Sequence, residues 1–119
     1  MSLNNGKQII DNWKANHKHI ADLFHARKYQ DAKEPVVYYT NELINALAVL
    51  NNQEPPEDQH VSKMLLSLKY APFNSQERIP FILQQPEQYY SYIQLNELYK
   101  ETEKLYAKVE ILQKKTRNQ

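Results

Sequence analysis

The chain has 119 residues, a net charge of +1, one glycine, six prolines, nine tyrosines and no cysteine. That length indicates one domain spanning 1–119, and the missing cysteines exclude disulfides, thiolate catalysis and cysteine-based zinc sites. No window approaches the roughly 18 consecutive apolar residues of a membrane span, so no membrane partner is expected.

The apolar share of 41% includes the nine tyrosines, whose hydroxyls need water or a partner, so the hydrocarbon core is thin for the length. A thin core is supplemented by half-buried tyrosine rings or by an apolar face that meets a second copy of the chain. Charge is unevenly spread: residues 1–33 carry six Lys/Arg against three Asp, residues 34–60 five acids and no base, and the remainder nine bases against six acids. Neither basic block is the dense stripe of a dedicated nucleic-acid binder. No N-terminal apolar run resembles a signal peptide, which makes the cytoplasm the expected location.

Helical spacing appears first between Lys7 and about Ala26, where Ile10, Trp13, His17, Ile20 and Phe24 recur every three or four residues. Asn4 or Asn5 can cap this helix, residues 1–6 are expected to fray, and the periodicity lapses from Arg27 to Lys33. Asp31 and Glu34 outline a capping box, and Pro35 suits a first helical turn, so a second helix is expected from there through Val36, Val37, Thr40, Leu43, Ile44, Leu47 and Leu50. Asn51 to Pro56 breaks it. Glu57 and Asp58 favour the start of a third helix carrying Val61, Met64, Leu65 and Leu68 and ending near Lys69. Pro72, Pro80 and Pro86 then restrict the chain to short helical pieces, with one or two turns around Arg78 to Leu83 behind a second capping-box outline, Asn74 and Glu77. From Glu87 to about Lys115 nothing interrupts a helical pattern through Tyr92, Leu95, Leu98, Thr102, Leu105, Val109 and Leu112, with fraying expected over 116–119. The expected fold is all-α: an irregular antiparallel helical bundle of four to five helices with a long C-terminal helix.

Residues that could carry chemistry are few. His19, Asp22 and His25 are spaced by three on one side of the first helix, but bundle metal sites draw ligands from several helices, and no second helix completes this set. A metal-binding enzyme built on these three is therefore the weakest alternative, and no metal or cofactor is assigned. Glu97 and Glu101, followed by Lys100 and Lys104, read as a solvated helix face with intrahelical ion pairs rather than as general bases. Lys14, Lys18, Arg27, Lys28 and Lys33 with Tyr29 form a modest basic region, which carries the alternative of a nucleic-acid-associated protein.

The stretch from Tyr70 to Leu98 differs in joining prolines, aromatic rings and an adjacent acid and base, Glu77 and Arg78. Read as scaffold, it is a corner closing the bundle, with Phe73 and Phe81 in the core and Arg78 tied to a carboxylate or carbonyl. Read as a site, Phe73, Asn74, Glu77, Arg78, Phe81, Tyr89 and Tyr92 are anchors for a protein partner or a second copy, since rings and arginine on a rigid frame dominate interface energetics.

Pro72-Phe73-Asn74, Glu77-Arg78, Phe81-Ile82, Pro86, Tyr89, Gln94-Leu95 and Leu98 resemble the C-terminal pattern of the YpoC-like proteins, small uncharacterised proteins of Bacillus, Listeria and relatives. The likeness covers about the last forty percent of the chain. It implies an all-helical cytoplasmic protein of a low-GC Gram-positive bacterium, and supplies no activity or catalytic residue. The function expected is that of a non-enzymatic interaction or self-association module.

Overall fold

The computed structural model describes residues 2–117. Its helices are α1 (Asn4–His25), α2 (Tyr29–Leu50), α3 (Val61–Ser67, entered through a single 3-10 turn at Asp58–His60), α4 (Ser75–Gln84) and α5 (Tyr89–Arg117), with no strand among the described residues. The expected all-α bundle with its long last helix is what forms.

Side chains set the helix directions. Lys7 and Lys14, two turns apart on α1, pair at 2.8 Å with Glu110 and Glu103 of α5, so these helices run antiparallel. Tyr99 and Tyr106, one heptad apart on α5, donate to the carbonyls of Tyr39 and Ala46, one heptad apart on α2, so these two run in the same direction. The segment containing α3 and α4 is the return crossover that makes this possible.

Three departures from the sequence reading have local causes. α1 begins at Asn4 rather than Lys7, without a side-chain cap, because Leu3 is buried in the core and draws the chain in ahead of it. Within the ends expected to fray, Asn4–Gly6 belong to α1 and Thr116 and Arg117 to α5; Met1, Asn118 and Gln119 lie outside the described residues. α2 begins at Tyr29, and no Asp31–Glu34 capping box forms. Ala32, wholly buried, carries the contact stripe back one turn from Val36, and alanine gives too little apolar signal to be seen in the pattern. Pro35 then lies in the second turn, where the missing amide deprives only the carbonyl of Asp31, an exposed residue that water can serve. α4 likewise retains Pro80 and runs for ten residues, longer than the expected one or two turns.

Only Ala26–Lys28 separates α1 from α2. Arg27 is left-handed (φ 62°), and the amides of Arg27 and Lys28 bond back to the carbonyls of Phe24 and Leu23 in a Schellman close. Asn52 (φ 57°) ends α2 the same way, with the amides of Asn52 and Gln53 on Val49 and Ala48. Asn51 then exchanges two 2.8 Å bonds with the backbone of Tyr70, fastening the middle of the crossover, between α3 and α4, to the end of α2.

Trp13 centres the core at 1% exposure, stacked 4.6 Å from Tyr99 and 5.3 Å from His17, with its indole N–H donated to Asn96. The tyrosines do supplement the core: Tyr92, Tyr99 and Tyr106 are all buried, the last two at positions the apolar spacing of α5 omits. Burial pushes the phenols of Tyr99 and Tyr106 well above their ordinary ionisation range, consistent with donors locked onto carbonyls. Tyr106 also explains the single glycine. A Cβ on Gly6 would stand 1.7 Å from the Tyr106 hydroxyl, so only glycine admits this ring between α1 and α5.

Candidate functional site

The corner between the crossover and α5 is built from its backbone outward. Pro72 is buried, and its carbonyl receives both the amide and the hydroxyl of Ser75. Asn74 is left-handed (φ 61°), a conformation asparagine tolerates better than most residues, and it turns the chain sharply into α4. The outlined capping box does not close; the side-chain amide of Asn74 (Nδ2) instead donates to the Glu77 carboxylate at 2.9 Å.

Arg78, one turn into α4, ties the corner together. Its Nε donates to Gln94 at 3.0 Å, its Nη1 to the Phe73 carbonyl at 2.9 Å and to Glu101 at 3.1 Å, and its Nη2 to the second Glu101 oxygen at 2.7 Å. Four of the five guanidinium N–H bonds are thus engaged within the chain. The fork onto Glu101 is half-buried, which makes it stronger than an exposed ion pair. Gln94 relays the network, donating its amide to the Tyr90 hydroxyl at 2.9 Å. Glu101 therefore does not serve the solvated i,i+3 pattern read from its neighbours, whereas Glu97 and Lys100 do pair, at 3.5 Å.

The result is a groove of about 540 Å3 lined by Phe73, Asn74, Glu77, Arg78, Phe81, Tyr90 and Gln94. Phe81 and Tyr90 meet edge to face, centroids 5.6 Å apart at 84°. Phe73 is not in the core, as the scaffold reading places it, but 87% exposed. Its carbonyl is held inward by Arg78 while Asn74 reverses the chain, and the ring is left in solvent.

Five of the seven residues singled out in the sequence line this groove, and two do not. Tyr89 packs on Phe24 and His25 of α1, and Tyr92 is buried with its hydroxyl 2.8 Å from Nδ1 of His17. Tyr90 and Gln94 take their places. The helical period contains that signal, because Tyr90 and Gln94 are four apart and lie off the stripe of Tyr92, Leu95 and Tyr99.

Elsewhere the chemistry is sparse. His19, Asp22 and His25 are exposed, and no three His, Asp or Glu among the described residues converge on a point where a metal could bind. In the basic region Lys14 is engaged by Glu103, and Lys18, Arg27, Lys28 and Lys33 are exposed with Tyr29. No described helix is long and apolar enough to cross a membrane.

The family's model matches residues 4–114, from the first turn of α1 to the last turns of α5. The chain belongs to the YpoC-like protein family. Comparisons with curated proteins and with solved structures find no match. The YpoC-like span takes in all five helices, well beyond the C-terminal residues that carry the resemblance in sequence, and so includes both Glu101 and the Arg78 that grips it.

Proposed function

We infer that this YpoC-like protein is a non-enzymatic interaction module whose contact surface is the corner groove. One observation carries the reading: a phenylalanine is 87% exposed while the residue's own carbonyl is clamped by a four-bond arginine. With its carbonyl pinned, the backbone cannot carry the ring inward, and the residue forgoes the burial energy of a large apolar side chain, about 2 kcal/mol. Holding it outward on a rigid frame lowers the ordering cost of binding, which is how aromatic anchors become dominant contacts.

Arg78 has little left to offer a partner, so its part is to position Phe73, Tyr90 and Gln94. Size exclusion with light scattering, followed by affinity capture with wild type, Phe73→Ala and Arg78→Ala, tests the reading. Specific association lost in both variants is the expected result. Association that survives Phe73→Ala unchanged places the interaction elsewhere, and a wild-type monomer with nothing captured removes it.

A further inference from the structure

Resting on the reading of the corner as an interaction surface, we propose that its occupant is a cationic side chain, arginine or lysine, carried by a segment of a partner protein. The argument begins with charge. Arg78 contributes no net positive field, because Glu101 covers it with both carboxylate oxygens. Glu77 is different: one of its oxygens accepts from the Asn74 side-chain amide, and among the described residues the other has no donor and the carboxylate is in no ion pair. The groove therefore holds one unneutralised carboxylate beside three aromatic rings, Phe73, Phe81 and Tyr90.

That combination selects. A purely apolar segment laid into the groove would strip water from Glu77 without replacing it, and burying an uncompensated charge is costly. A phosphate or an acidic peptide would meet Glu77 as a like charge. A guanidinium or ammonium satisfies the carboxylate and rests against electron-rich ring faces, while its methylene stem covers the exposed rings. The rings are fixed for this: Tyr90 by its bond from Gln94, and Phe81 by its edge-to-face contact with Tyr90. A volume of about 540 Å3 has ample room for one such side chain and the adjoining backbone. The molecule's own basic end cannot supply it intramolecularly, since Lys114 and Lys115 lie some twenty residues further along α5, roughly 30 Å at 1.5 Å per residue.

The test titrates the full chain with Nα-acetyl-arginine amide and with its neutral isostere, Nα-acetyl-citrulline amide, following the aromatic signals by NMR. Shifts of the Phe73, Phe81 and Tyr90 rings, about fivefold larger at equal concentration for the arginine derivative, are expected. In Glu77→Gln, which keeps the bond from Asn74 and the melting temperature, that advantage disappears. Equal responses to the two compounds, no response, or an advantage that persists in Glu77→Gln overturns the proposal.

A display selection of 12-residue peptides on wild type, counter-selected on Phe73→Ala, separates this inference from the one beneath it. Phe73-dependent peptides enriched in Arg or Lys support both. Phe73-dependent peptides without a cation overturn the cationic occupant and leave the surface standing; the absence of any Phe73-dependent peptide overturns both. A wild-type dimer that Phe73→Ala dissociates assigns the groove to a second copy and overturns the partner segment.

Discussion

In the bundle of α1, α2 and α5, Trp13 is 1% exposed and its indole N–H is bonded to Asn96; at the corner, Phe73 is 87% exposed although its own carbonyl is held by Arg78. Among the described residues both regions satisfy their buried side-chain polar atoms, yet they place their aromatic rings oppositely. In the bundle, polar bonds such as Tyr99 to Tyr39 and Tyr106 to Ala46 let large rings enter the core. At the corner, the bonds of Arg78 keep a ring out. Hydrogen bonding thus accompanies burial of the ring in one region and its exposure in the other.

The comparison breaks most visibly in the bundle. Trp13→Ala removes the ring stacked between His17 and Tyr99 and orphans Asn96, so a loss of about 4 kcal/mol is expected in denaturant unfolding. A loss below about 1 kcal/mol would contradict a close-packed centre. Gly6→Ala drives a methyl into a Tyr106 ring that cannot yield without giving up Ala46, and a loss of about 3 kcal/mol follows from overpacking together with the broken bond. The double variant Gly6→Ala/Tyr106→Ala should cost less than the sum of the singles, because the collision is then absent.

Arg78→Lys is the corner's counterpart. Lysine cannot reproduce a fork that bonds Glu101 twice and also reaches Gln94 and the Phe73 carbonyl, so about 1–2 kcal/mol should be lost. If lysine serves equally well, the brace contributes charge alone.

What was legible follows the same division. The four apolar stripes could be read because Ile, Leu, Val and Trp recur at helical spacing, and they fall where expected in α1, α2, α3 and α5 up to Val109, beyond which Leu112 is exposed. The first turn of α2 could not, since its contact is Ala32. Tyr99 and Tyr106 were hidden by chemistry: a tyrosine is apolar or polar according to whether a carbonyl lies within reach, and those carbonyls are 60 residues away. Prolines and rings mark the corner in the sequence, but its geometry is not written there. Arg78 finds Glu101 across 23 residues, while Lys104, three places on, offers the nearer and more ordinary partner in sequence. Phe73 defeats the rule that phenylalanine is buried because a left-handed Asn74 and a distant carboxylate act together, and neither is visible locally.

His17 offers a finer probe of the boundary between the regions, since it stacks on Trp13 and meets Tyr92 of the first turns of α5. Burial first, and then the nearby Lys100, lower its pKa below the ordinary 6.5. The folded state therefore binds its proton less readily than the unfolded chain. The stability this represents is fully present above the unfolded value and is lost as pH falls through the folded one. Between pH 7 and pH 5 the melting temperature of wild type should drop further than that of His17→Gln, and parallel profiles would show that the ring is not shielded.

The smallest effect on stability is expected at the most exposed ring. Phe73→Ala removes a side chain that packs on little, so its unfolding free energy should lie within about 0.5 kcal/mol of wild type. The groove would lose one wall while the Arg78 bonds to Gln94 and Glu101 remain, since these do not involve the ring. A loss above about 1 kcal/mol would mean that the ring is structural after all, and the contrast with Trp13 would then be one of degree. Unchanged stability joined to lost association would separate the two roles in one residue: a carbonyl that belongs to the scaffold and a ring that belongs to the partner.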